Sequence, residues 1–119
     1  MAEAALFLGW GTPARGREEA GIDVFNEAMV YWDGLKQEGK LEAIEVALLT
    51  PHRGLGGFAL LRGTAQQIDS MRRSEEFKRL VSRVALRVDQ LEVSDAWVDE
   101  GLAQVMFQYQ AEAAQVTQV

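Results

Sequence analysis

The 119-residue chain contains no cysteine. That excludes disulfides, thiolate-ligated metals and a cysteine nucleophile together. Histidine is nearly as scarce. His52 stands alone, so a zinc site, which would need further imidazoles or thiolates, has too few ligands, and no metal is expected. Basic residues are in deficit: 12 Lys and Arg against 18 Asp and Glu leave a formal charge of −6. A nucleic-acid partner needs a basic face to neutralise phosphates, so none is expected. Arginines do gather at Arg72, Arg73, Arg79, Arg83 and Arg87, but Glu75 and Glu76 interleave with them. That pattern reads as a solvated helix face rather than an anion site. Long apolar runs are missing too. No stretch approaches the roughly 20 residues that span a bilayer. The start, MAEAALFLGWG, sets an acid at Glu3 beside a brief apolar run, unlike a signal peptide. A soluble cytoplasmic protein with no membrane partner is expected.

What is present is ordinary globular material, 48% apolar and 25% charged, in a length suited to one domain spanning 1–119. Residues 5–10 form an apolar run stopped by Gly11, Thr12 and Pro13, which predicts a buried strand. Residues 21–38 show helical period, with Ile22, Phe25, Ala28, Met29, Trp32 and Leu35 on one face and Gly39 at the C-terminal cap. Residues 41–49 alternate Ile44, Val46 and Leu48 against Ala43, Glu45, Ala47 and Leu49. Both sides are mostly apolar, as in a strand covered on both faces. Residues 58–62 make a third strand. Thr64 with Gln67 forms a capping box that opens a helix. Ser74-Glu75-Glu76 restarts it, with a stripe of Phe77, Leu80, Val81, Val84 and Val88. Residues 90–98 alternate Leu91, Val93 and Trp97 against Glu92, Ser94 and Ala96. Asp99 then starts a last helix, about 99–115, striped by Leu102, Val105, Met106, Tyr109 and Ala113.

This order predicts an α+β fold. It is a ferredoxin-like βαββαβ antiparallel sheet over about 5–98, with helices on one face and an added C-terminal helix. Two helices leave the other face of the sheet bare, and these strands carry few charges to put there. A bare apolar face marks a partner, and the simplest partner is a second copy, giving a homodimer through the sheet face. With its element order, its length, its broken second helix and the SEEFKRL stretch at 74–80, the chain resembles the dimeric α/β-barrel superfamily. In that superfamily two ferredoxin-like sheets close into one barrel. Its members include antibiotic-biosynthesis-type monooxygenases, muconolactone-isomerase-like and YCII-related proteins, and haem-binding enzymes. The resemblance implies a ligand held between sheet and helices or inside the barrel, and a C-terminal helix free to pack on the partner subunit.

Candidate site residues are few. Gly54-x-Gly56-x-x-Ala59 has the spacing of a dinucleotide-binding turn, as does Gly9-x-Gly11-x-x-Ala14. Such a turn needs a helix starting inside it and an acid closing the next strand. The first match runs straight into strand-like FALLRG, so a flexible hairpin loop is expected. His52 titrates near neutrality. It reads as an exposed loop residue or as a catalytic base at the barrel mouth, and one axial histidine would suffice for haem. Glu45, mid-strand among apolar neighbours, either reaches water at a sheet edge or is a buried acid able to move a proton, with Arg62 as a plausible partner. Trp10, Arg53 and Arg62 are candidate ligand contacts, whereas Trp32 and Trp97 read as packing residues. No cofactor is expected. Three functions follow: binding or transforming a small apolar or aromatic metabolite, a structural homodimer without chemistry, or haem handling.

Overall fold

The computed structural model describes residues 3–50 and 54–117. Four strands, β1 (Ala4–Trp10), β2 (Ala43–Leu48), β3 (Gly57–Gly63) and β4 (Glu92–Trp97), form one antiparallel sheet in the order β2-β3-β1-β4. Helices α1 (Glu18–Gln37), α2 (Ala65–Arg73) and α3 (Glu75–Ala85) cover one face, and α4 (Asp99–Thr117) follows β4. This is the βαββαβ ferredoxin-like fold with an added helix.

Local chemistry sets the helix boundaries. The Thr64 hydroxyl accepts from the Gln67 backbone N–H at 3.1 Å, and Gln67 Oε1 accepts from the Thr64 N–H at 2.8 Å. Both arms of the capping box therefore close. Ser74 ends α2 and caps α3, accepting from the Phe77 N–H at 3.2 Å. Helix α1 begins at Glu18, three residues before the sequence pattern suggested, with Glu18 and Glu19 in the first turn complementing the helix dipole. Gly21 lies inside the helix because the helix needs room there. A Cβ at this position would come within 3.2 Å of Pro13 Cβ.

Strand register sorts the side chains. Leu6 faces Leu61, and Leu8 faces Ala59. These four share the helix-covered side with Val24, Ala28, Trp32 and Leu35 of α1, Ile68 and Met71 of α2, and Phe77 and Leu80 of α3, which together make the core. Leu6 and Leu61 are fully buried, each contributing about 1.5–3 kcal/mol of hydrophobic stabilisation. The alternate residues point to the open side: Ala5 and Phe7 of β1, Phe58, Leu60 and Arg62 of β3, and Ala43, Glu45 and Ala47 of β2. Phe7 and Phe58 stack there with ring centroids 5.9 Å apart.

Ile22 and Trp97, whose positions suggested packing, are not buried, and neither is most of the α4 stripe. Ile22 is exposed on α1, where Val24 takes the inward position. Trp97 is exposed because α2 packs on β1 and β3, leaving the end of edge strand β4 uncovered. The α4 stripe is largely exposed: Leu102, Met106 and Tyr109 face solvent, with Tyr109 at 69%. The cause is placement. Helix α4 meets the body chiefly through β4, and its 19 residues extend about 28 Å. The radius of gyration, 16.7 Å, exceeds the ~13.5 Å expected of a compact chain this long.

Three of the clustered arginines pair with carboxylates of the chain itself. Arg72 pairs with Asp95 at 2.6 Å, Arg73 with Asp69 at 3.1 Å and Arg83 with Glu27 at 2.7 Å.

Candidate functional site: a cavity between sheet and helices

Helices α1 and α3 diverge over one end of the sheet and enclose a cavity of about 640 Å³, within the range of small-molecule sites. Leu8, Trp10 and Leu48 line it from the sheet, Phe25, Ala28 and Trp32 from α1, and Leu80, Val81 and Val84 from α3. Trp10 and Phe25 meet edge to face at 5.9 Å, closing one wall. Among the described lining residues, the only polar side chains besides the two indoles are Thr12, Asn26 and Thr50. No ionisable side chain is among the described lining residues.

The chain end-caps this cavity with two segments. Beyond β1, residues 11–14 run beside 87–89, with the Gly11 N–H donating to the Asp89 carbonyl and the Asp89 N–H to the Thr12 carbonyl, each at 2.8 Å. Gly56, just before β3, then lies against the end of β1. The Gly56 N–H donates to the Trp10 carbonyl at 2.6 Å, and the Leu49 N–H to the Gly56 carbonyl at 2.9 Å. A Cβ on Gly56 would collide with the Gly11 carbonyl oxygen, so only glycine permits this approach. The glycine motif is thus a device for close backbone approach. It leads into β3 and offers no helix N-terminus to a phosphate.

Trp32 is the anomalous member of the lining. It is 3% exposed, and its indole Nε1 is the single buried side-chain polar atom without a hydrogen-bond partner among the described residues. A donor shielded from water and acceptor alike costs about 1–3 kcal/mol.

The sequence candidates separate. Trp10 lines the cavity. Glu45 and Arg62 lie on the opposite side of the sheet and bond to each other, Arg62 Nη2 to Glu45 Oε1 at 3.5 Å, with Asp99 Oδ2 3.8 Å from Arg62 Nη1. The Glu45 side chain is 57% exposed, which matches the reading in which it reaches water at the sheet edge and not the reading as a buried acid. His52 and Arg53 lie outside the described residues, though Thr50 and Gly54 on either side of that loop line the cavity. Sequence reasoning assigned Val81, Val84 and Val88 to a core stripe. Their half-burial as cavity wall has no sequence signature, because cavity walls and core interiors use the same residues. Among the described residues no group of three His, Asp or Glu side chains is placed to hold a metal, and no helix is long and apolar enough to cross a membrane.

No protein-family model matches the chain, and no curated protein matches its sequence. Solved structures do match its fold. A dimeric ferredoxin-like protein of unknown function from Bacteroides fragilis superposes with a TM-score of 0.62 at 12% identity, covering 80% of this chain and 95% of that one. A proposed antibiotic biosynthesis monooxygenase from Deinococcus radiodurans gives 0.57 at 11%, covering 84% and 94%. SnoaB, a cofactor-independent oxygenase from Streptomyces nogalater, gives 0.53 at 10%, covering 83% and 96%. At these identities the likeness is one of fold.

Proposed function

We propose that this protein binds a small, neutral, mostly apolar or aromatic metabolite in the cavity between α1, α3 and the sheet. One observation carries the reading: a cavity of about 640 Å³ with no charged side chain among its described lining residues. Among the described lining residues a charged ligand would find no counter-ion for its lost hydration, whereas an apolar ring system gains contact with Trp10, Phe25 and Trp32. The described lining contains no carboxylate or imidazole to act as a general acid or base, so binding is the function this geometry supports. Two structural neighbours described as oxygenases, one of them cofactor-independent, make an oxygen-dependent transformation of the bound molecule the reaction to look for first.

The working unit is a homodimer joined through the open sheet face, and we read it as cytoplasmic. Phe7, Phe58, Leu60 and Ala47 make that face apolar, and one neighbour of the same fold is described as dimeric. Helix α4, with Met106, Phe107 and Tyr109 exposed, supports the same assembly by reaching beyond its own body toward a second copy.

Titration with the neutral fluorophore N-phenyl-1-naphthylamine tests the site. The wild-type protein should enhance its emission saturably and melt at a higher temperature in its presence. Val84→Trp, which fills the cavity from α3, should weaken binding at least about tenfold. Glu45→Gln, on the opposite side of the sheet, should leave it unchanged. Binding indifferent to Val84→Trp, or no binding by the wild type, would overturn the proposal.

A further inference from the structure

We infer that α4 pairs antiparallel with α4 of a second copy, along a seam of Leu102, Met106, Tyr109, Ala113 and Val116. The inference rests on the homodimer reading and deepens it, adding a second contact to the open sheet face.

The five residues follow one another at intervals of four, three, four and three. That is the heptad alternation that keeps one face of a helix turned toward another helix. All five are exposed, over a rise of about 21 Å, while Gln104, Gln108 and Gln115 lie away from them on the same helix. The root of α4 is fixed, so the seam is presented in one direction. Gly101 is buried against the Glu3 carbonyl, and the Gly101 and Leu102 N–H groups donate to the Val98 carbonyl at 2.9 and 3.2 Å. Asp99 turns the chain into the helix at a φ of 50°, a conformation that aspartate tolerates.

The composition of α4 selects the occupant. It carries Asp99, Glu100 and Glu112 and no basic side chain, so it lacks the cations that draw an amphipathic helix to an anionic lipid surface. Its seam also tapers, with Leu102 and Met106 in the first half and Ala113 and Val116 in the second. Laid antiparallel on a copy of itself, the bulky half meets the slim half, and the helix axes stay evenly spaced. Laid parallel, leucine would meet leucine and alanine would meet alanine, leaving a gap at one end. The Asp99 and Glu100 carboxylates of both copies would then crowd together. A seam whose halves complement each other on reversal fits a second copy of the same helix. Its exposed area is on the order of 500 Å² per helix, below the ~800 Å² that each partner of a stable complex buries. The open sheet face supplies the rest and is continuous with α4, since Asp99 Oδ2 lies 3.8 Å from Arg62 Nη1 on that face.

Because the chain has no cysteine, single introduced thiols report the pairing without background. Leu102→Cys, Met106→Cys, Ala113→Cys and Val116→Cys all fall on an exposed face and should leave the circular dichroism unchanged. Two mixtures are oxidised with copper–phenanthroline at micromolar protein, one member of each carrying a tag that separates the mixed dimer on a gel. Leu102→Cys with Ala113→Cys tests one heptad register of an antiparallel seam, and Met106→Cys with Val116→Cys tests the next. One of them should form disulfide at least about tenfold faster than Gln108→Cys, since the bond needs Cα atoms within about 7 Å. Leu102→Cys alone and Val116→Cys alone should stay at the Gln108→Cys level, their thiols lying at least about 15 Å apart in either register. Self-crosslinking of these two would mean a parallel pair and overturn the inference. Crosslinking of neither mixture, with a wild type that still sediments as a dimer, would also overturn it and leave the sheet-face reading standing. If the wild type instead associates with phosphatidylcholine vesicles, the stripe belongs to a lipid surface and the inference falls. A wild type that sediments as a monomer at every concentration would overturn both readings.

Discussion

Leu60 and Leu61 are neighbours in β3, yet they sit in different surroundings. Leu61 faces Leu6 and Ile44 beneath the helices and is fully buried, whereas Leu60 faces Phe7 and Glu45 on the open side. The same contrast runs through the whole sheet. The covered side is closed by three helices except where α1 and α3 part over the cavity, whereas Phe7, Phe58 and Leu60 on the open side are only half-buried. A sheet designed to face water on one side alternates apolar with polar residues. This one does so only at its margins, at Glu45, Arg62, Glu92 and Ser94. The two faces are therefore both apolar, one covered by the chain itself and the other, in the assembly we propose, by a second copy.

The largest effect should come from the covered face. Leu61→Ala should lower stability by about 2–5 kcal/mol, the cost of a cavity in a fully packed site. Urea midpoints should show the same loss at nanomolar and at micromolar protein. Leu60→Ala should behave differently, with a small loss in dilute solution that grows with protein concentration as the dimer fills. An equal, concentration-independent loss for both variants would mean that the two faces do not differ in the way their burial suggests.

The open face is tested more sharply by charge. Phe58→Asp places a carboxylate against the Phe7 ring and should raise the dimer dissociation constant on the order of thirtyfold, as the removal of a central aromatic contact does. Sedimentation velocity over a concentration series measures this, with far-UV circular dichroism confirming an unchanged fold. A wild-type protein that stays monomeric at 100 micromolar would break the two-burial account at once.

How much of this contrast could be read from the sequence depends on how local its causes are. The capping box at Thr64 and Gln67 and the restart at Ser74 are legible because the partners lie three residues apart, and both form as expected. The alternation of β2 is legible as well. Which of its two apolar sides lies under the helices is not, since Ile44 and Val46 differ from Ala43 and Ala47 only in bulk, and bulk won. Glu45 was therefore visible as an odd residue but not as one facing away from the cavity. The stripe of α4 is a correct helical pattern, yet Leu102, Met106 and Tyr109 stand exposed on this chain, because periodicity marks an apolar face without naming what covers it. The cavity itself leaves no mark, because an absence of atoms between α1, α3 and the sheet is the sum of packing choices in at least five segments. The glycine loop shows the reverse. Its spacing was conspicuous, yet the cause is one carbonyl, that of Gly11, from a segment 45 residues earlier.

The smallest expected effect bears on the margin between the two faces. Arg62 stands between Glu45 and Asp99 on the open side, with the Glu45 carboxylate more than half exposed. Exposed pairs of this kind contribute about 0.2–1 kcal/mol. In dilute solution Glu45→Gln should therefore shift the urea midpoint within that range, and 0.5 M salt should erase most of the difference by screening. If a second copy packs on this face, the same pair loses water and Arg62 is left with Asp99 alone in the variant. Its cost should then rise with protein concentration and resist salt, because a desolvated charge that loses its partner is penalised far more than an exposed one. Measured at both concentrations and both salt levels, a substitution that barely matters in one copy reports where the second copy sits. A small, salt-sensitive effect at every concentration would move the interface away from Glu45 and restrict it to the aromatic patch around Phe7 and Phe58.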